Sequence, residues 1–127
     1  AVDRLLPEVM GSVLELRQGE DTFRIYITGD TLFRPQLREV RDRFPDLDAM
    51  IVHLGGTKIM GILLTMDGRQ GADLVELIAP PVTVPIHYDD YTVFRSPLRD
   101  FLAEVERRDL PGEIRPVRRG QKISLRR

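Results

Sequence analysis

Residues 23–31, FRIYITGDT, decide the fold of this chain. Phe23, Ile25 and Ile27 recur at every second position, which is the period of a β-strand with one apolar face. The run stops at a glycine, and Asp30 follows directly. The sequence therefore predicts a strand that carries a single carboxylate just beyond its end.

Residues 82–90, VTVPIHYDD, repeat this arrangement with a histidine in place of the aspartate. The apolar run ends at Ile86, and His87 comes next. In sheets flanked by helices, ligands bind in the crevice beyond the strand ends. Asp30 and His87 are therefore the first candidates for a shared metal site.

Composition limits what such a site can be. The chain has 127 residues, 42% of them hydrophobic and 31% charged, which is typical of one globular domain with a real core. A net charge of -1 argues against non-specific binding of polyanions. Cysteine is absent and only two histidines are present, so thiolate zinc sites are excluded and a metal site must depend on carboxylates.

The termini and the apolar runs bear on location. No apolar run in the sequence reaches the length of a membrane span, and no secretory signal opens it, so we expect a cytoplasmic protein without membrane contact. The chain starts at Ala1 without a methionine, and its first ten residues are already apolar. This start suggests a piece of a larger fold.

Strands and helices alternate along the predicted chain, which indicates an α/β layer architecture. The predicted strands are 12–17 and 23–28 (a hairpin), 48–54, 82–86, 113–117 and 122–125. The predicted helices are 35–44, a helix capped by Thr65 that runs to Ile78, and 97–107 with Leu98, Phe101, Leu102 and Val105 buried. Residues 59–64 fit either a strand or a buried loop.

Each candidate residue also has an ordinary structural interpretation. An aspartate after a strand is most often a turn former or a helix cap. A histidine such as His87 is more often a hydrogen-bonded residue at the edge of the core. His53 also ends a predicted strand, and a structural role is the better interpretation than a third ligand.

Other functional motifs are missing or weak. Gly55-Gly56 lacks the Lys-Ser/Thr of a phosphate-binding loop, and no G-x-S-x-G nucleophile elbow occurs. The basic tail from Arg107 to Arg127 has no interleaved aromatic residues, so solvated arginines are a better interpretation than a nucleic-acid surface. A nucleic-acid binder that uses this tail is the least favoured of the three functions considered.

The order of these motifs resembles a known family. A hairpin, then YITGDT, HLGG, LTMDG opening a helix, and PIHYDD are similar to the C-terminal half of metallo-β-lactamase-fold hydrolases, and most similar to their lactonase-like branch. The resemblance runs from about Val9 to Leu125. It implies that residues 1–127 are half of an αββα sandwich, with one mixed sheet and helices on one of its faces.

The resemblance also implies roles for the candidate residues. Asp30 corresponds to the carboxylate that bridges two metal ions and orients the attacking water, and His87 to a ligand of the second ion. Asp89 or Asp90 would hydrogen-bond to His87. Tyr88 would either donate to substrate or simply pack. The ions would be zinc, manganese or iron in the complete protein, where they activate water for hydrolysis.

The sequence departs from the family in one large respect. The ligand cluster His-x-His-x-Asp-His of the N-terminal half is missing. Two ligands leave zinc short of its four-coordinate geometry, so we expect the chain alone to bind metal weakly or not at all and to be inactive. The bare sheet face should then pair with the missing N-terminal half or with a second copy. The alternative function is a non-catalytic half-domain that pairs with another chain as an interaction module.

Overall fold

A computed structural model describes residues 2–6, 9–29, 33, 35–54, 58–59, 62–63, 66–86, 97–117 and 121–125. The strands are β1 (Val2–Leu6), β2 (Val9–Gln18), β3 (Asp21–Ile27), β4 (Ala49–His53), β5 (Lys58–Ile59), β6 (Ile62–Leu63), β7 (Val82–Ile86) and β8 (Glu113–Ile114). The helices are a 3₁₀ turn (Pro35–Leu37), α1 (Arg38–Arg43), α2 (Gly68–Ile78) and α3 (Pro97–Arg108).

Six strands form one mixed sheet in the order β1-β2-β3-β4-β7-β8. The pairs β1–β2 and β2–β3 are antiparallel, whereas β3–β4, β4–β7 and β7–β8 are parallel. Strands β5 and β6 pair with each other in a separate hairpin. The predicted α/β fold with a mixed sheet is confirmed, and its parallel part turns the ends of β3, β4 and β7 toward one edge.

The helices cover one side of the sheet, which we call the helix face. Successive strand residues point to opposite sides, so the register places Tyr26, Met50 and Thr83 in one row on this side. Tyr26 and Met50 are fully buried in a cluster that includes Leu74 of α2 and Phe101 of α3. The expected placement of helices on one face is confirmed.

The opposite side, which we call the second face, carries Ile25, Ile27 and Ile51. Here Ile25 and the neighbouring Ala49 are buried, while Ile27 and Ile51 are half-buried. The cover consists of three side chains from the C-terminal segment, Val117, Ile123 and Leu125. The second face is therefore apolar but only partly covered by the residues that the structure describes.

The start of α2 differs from the prediction. Its N-cap is Asp67, whose Oδ1 accepts a hydrogen bond from the Gln70 backbone N–H at 2.8 Å. Thr65, the predicted cap, lies outside the described residues. An aspartate followed three residues later by glutamine is a known capping pattern, so the sequence did carry this signal.

Two further predictions are corrected, and one strand was missed. Leu102 is 37% exposed and not buried, because it lies about 100° around α3 from the fully buried Phe101. Residues 121–125 do not form the predicted final strand, although Ile123 and Leu125 still pack on the second face. The apolar start of the chain contains strand β1, which no sequence pattern had identified. Residues 59–64, left undecided, overlap the short hairpin of β5 and β6.

Candidate metal centre

The candidate site lies at the edge where β3, β4 and β7 end. Strand β4 runs between the other two, and Ile51 is paired with both Ile27 and Val84. Neighbouring strands are 4.7–4.9 Å apart, so the ends of β3 and β7 are about 10 Å from each other. That separation leaves room for one or two metal ions between groups that follow these two strands.

Hydrogen bonds fix the end of β3 to the end of β4. The Thr28 backbone N–H donates to the Ile51 carbonyl at 3.0 Å. The buried Thr28 hydroxyl donates to the Gly29 carbonyl at 3.0 Å and accepts from the His53 backbone N–H at 3.1 Å. The position of residue 29, just before Asp30, is thus set by β4.

A backbone hydrogen bond also fixes the end of β7 to the chain just after β4. The Leu54 backbone N–H donates to the Ile86 carbonyl at 2.8 Å. Ile86 is the last residue of β7 and precedes His87 in the sequence. Both strand ends that lead into the predicted ligands are therefore fixed to the same central strand.

The predicted site residues themselves, Asp30, His87, Tyr88, Asp89 and Asp90, lie outside the described residues. Their side-chain arrangement stays a prediction. His53, weighed as a third ligand, is the last residue of β4, half-buried, and belongs to the second face.

Helix α2 forms the wall of this edge on the helix face. Its Gly71 packs against Leu54 so closely that a Cβ there would collide with the leucine side chain, which sets the first turn of α2 beside the end of β4. The Gln70 side-chain oxygen accepts from the Phe33 backbone N–H at 3.0 Å. Gln70 thus connects the chain after β3 to α2, a role that the sequence analysis missed.

Tyr26 is the unusual group near this edge. Its side chain is fully buried, and its hydroxyl has no hydrogen-bond partner among the residues that the structure describes. Burial raises the pKa of Tyr26 to about 12, so the hydroxyl keeps its proton at neutral pH. A buried hydroxyl without a partner costs about 1–3 kcal/mol.

The residue types fit a divalent metal, although the described part of the chain does not hold a complete site. Within the described ranges, no three histidine or acidic residues are grouped so that they could bind an ion. Carboxylate oxygen and imidazole nitrogen, the donor atoms of the predicted ligands, are groups that bind divalent zinc, manganese and iron. None of the described helices is both long enough and apolar enough to span a bilayer.

The chain is similar in sequence to curated proteins. A UPF0173 metal-dependent hydrolase from Aeropyrum pernix is 32% identical over 98 residues, a match that covers 77% of this chain and 38% of that protein. This chain is a relative of the UPF0173 metal-dependent hydrolases. It spans well under half the length of the curated relatives it matches. No family model matches it.

Solved structures show the fold. Igni18, a metallo hydrolase from Ignicoccus hospitalis, superimposes with a TM-score of 0.66 at 22% identity, over 90% of this chain and 44% of that one. The metallo-β-lactamase fold protein YhfI from Bacillus subtilis gives 0.57 at 11% identity, over 92% and 45%. The predicted resemblance to the metallo-β-lactamase fold is confirmed.

Proposed function

We propose that this UPF0173 relative supplies part of the metal site of a metallo-β-lactamase-fold hydrolase. The observation that supports it most is the common edge of β3, β4 and β7, because Asp30 and His87 directly follow residues fixed at that edge. The similarity to proteins called metal-dependent hydrolases gives the reaction class.

Asp30 and His87 would hold the ion or ions from the two sides of β4. Metal bound there would act as a Lewis acid and lower the pKa of water. The Asp30 carboxylate would orient the water for attack on the substrate. Asp89 or Asp90 would accept the remaining N–H of the His87 ring and fix its orientation, while Tyr88 is a candidate donor to the substrate.

Two ligands are too few for catalysis, because zinc takes four and substrate must share the ion. We infer that the chain alone binds zinc, manganese or iron weakly and turns over no substrate. The other ligands would come from a partner that covers the second face, where Ile27, Ile51 and Ile86 are half-buried beside the edge. That partner is the N-terminal part of the fold or a second copy of this chain.

Calorimetric titration of the chain with Zn²⁺ and with Mn²⁺ tests the metal site. We expect weak binding that Asp30→Ala and His87→Ala each abolish, since each removes one of two ligands. The matched control is Asp42→Ala, which deletes an exposed carboxylate on α1 and should leave binding unchanged. Equal binding by all four proteins would refute the assignment.

Pairing through the second face has its own test. Co-expression with the part of the Aeropyrum pernix relative outside the match should give a complex with tighter metal binding and esterase or lactonase turnover, lost in Asp30→Ala. A stable complex without metal uptake would support the interaction module instead.

The self-association of the chain by itself is a separate measurement. Ile51→Lys should weaken pairing in light scattering, whereas Leu102→Lys changes an exposed apolar residue on α3 and should not. A monodisperse monomer before substitution would contradict pairing between copies.

A further inference from the structure

The end of the C-terminal segment, residues 121–125, lies on the second face as a strand of another sheet layer would. Ile123 and Leu125 are half-buried and pack on the apolar cluster of this face. Lys122 and Ser124, which alternate with them, are exposed. Alternate burial of this kind is the pattern of a β-strand with one side on an apolar layer.

The structure shows no neighbouring strand for these residues. Among the described residues, neither sheet includes 121–125. A guanidinium helps to hold them in place, because Nη1 of Arg115 donates to the Ser124 carbonyl oxygen at 2.5 Å. Backbone N–H and carbonyl groups of a strand need partners along its whole length, and one side chain supplies only part of them. Residues 121–125 thus have the side-chain pattern of a strand without the partner strand.

An open groove of about 840 Å³ lies beside residues 121–125. The sheet contributes the apolar side chains of Leu16, Phe23 and Ile25 to its lining, and the C-terminal segment contributes Ile123 and Leu125. Leu16 is largely exposed to water here. Paired strands are about 5 Å apart, so the groove is where a strand paired with residues 121–125 would lie and cover these side chains.

The charges of the C-terminal residues indicate which strand fits. Residues 114–127 contain six arginine or lysine residues and no acidic residue. Like charges on paired strands are destabilising, so two copies of this stretch would pair poorly with each other. A strand that is apolar on one side and acidic on the other complements both the groove and the charge. Most of the Aeropyrum pernix relative lies outside its match to this chain, which covers 38% of that protein.

We propose that residues 121–125 are an edge strand of a second sheet, and that the partner adds a strand of its own beside them in the groove. The added strand is apolar toward Leu16, Phe23 and Ile25 and acidic toward solvent. It belongs to the part of the fold that the relatives carry outside the match. This inference rests on the partner in the proposed function and adds how that partner attaches, which is by backbone hydrogen bonds to an exposed strand.

Hydrogen exchange of the backbone amides tests the attachment. The sample is the full chain in complex with the part of the Aeropyrum pernix relative outside the match. We expect alternate amides within 121–125 to exchange about 10-fold or more slowly in the complex than in the chain alone, because every second N–H of a paired strand points to its neighbour.

The other outcomes separate this inference from the proposed function. If the complex forms and takes up metal while residues 121–125 exchange as fast as in the chain alone, only this inference is wrong. If no complex forms, the proposed partner is wrong as well. Protection that grows with the concentration of the chain alone would identify the neighbour as a second copy and overturn the assignment of the added strand.

Arg115→Met gives an independent measurement, because it frees the Ser124 carbonyl without changing the groove. We expect the dissociation constant of the complex to rise about 10-fold, since the strand must then be ordered during binding. The matched control is Arg43→Met, which removes an arginine paired with Glu39 on α1 and should leave the dissociation constant unchanged. Equal dissociation constants for the two variants would contradict a role of residues 121–125 in pairing.

Discussion

The two faces of the sheet are buried differently at the candidate site. On the helix face, burial is complete up to the strand ends, where Thr28, Val52 and Leu54 have no exposed surface. On the second face, Ala49 is buried near the strand starts, but Ile51, two residues closer to the edge, is half-buried. Among the residues that the structure describes, burial at this edge is therefore complete on the helix face and less complete around Ile51 on the second face.

The two faces are buried differently because different parts of the chain cover them. Helices α2 and α3 contribute Leu74 and Phe101 to the buried cluster on the helix face, and Arg108 joins the two helices by an ion pair with Asp73 at 2.7 Å. The second face is covered by short pieces of the C-terminal segment, and Leu16 at its margin is 46% exposed. The less covered second face is the face that the proposed partner would occupy.

The largest expected effect is the loss of stability on alanine substitution at residue 50, compared with residue 51 on the opposite face. Met50→Ala should lower the free energy of unfolding by about 2–5 kcal/mol, because it leaves a cavity in a fully buried cluster. Ile51→Ala should cost about 1 kcal/mol, since its side chain is already partly in water. Urea unfolding measures both.

The two losses of stability test whether the faces are buried differently in solution. Equal losses at residues 50 and 51 would mean that the second face is buried in solution, and the contrast drawn above would be wrong. When the partner is bound, Ile51→Ala should lower the free energy of unfolding by a larger amount, because the partner then removes the Ile51 side chain from water.

A smaller effect is expected at the wall of the site. Asp67→Ala removes the cap of α2 and should destabilise the chain by about 1 kcal/mol. Asp42→Ala, at an exposed position on α1, should change stability by less than about 0.5 kcal/mol. Chemical denaturation compares the two, and a loss no larger than the control would argue against the observed cap.

The smallest effect is a pH dependence within the helix layer. Hydrogen bonds from Arg107 and then Arg108 hold the pKa of Glu104 below its ordinary value of 4.5. Because the folded-state pKa is lower, Glu104 stabilises the fold above the unfolded pKa, and this contribution is lost as pH falls through the folded pKa.

Glu104→Gln should therefore flatten part of the decline in the urea midpoint between about pH 6 and about pH 3. Asp42 has no such arginine contact among the described ion pairs, so Asp42→Asn should leave the decline unchanged. If the urea midpoint of Glu104→Gln falls as far as that of the unmodified chain, Glu104 does not contribute to the acid sensitivity.

Local patterns predicted most elements, and their failures have a common cause. The alternation in 23–28 identified β3 because that strand has neighbours on both sides. The same alternation in 122–125 suggested a strand that the structure does not form, because a strand also needs a neighbour with free backbone groups. Leu102 fitted the apolar stripe of α3, yet nothing packs over it tightly enough to bury it.

Sequence alone determined the chemistry available: an aspartate and a histidine, each just after a buried strand, and no cysteine to compete with them. Those strand ends meet because parallel pairing on both sides of β4 brings them together, which only the tertiary structure decided. Pairing and register come from contacts between residues far apart in the chain, and no local pattern encodes them.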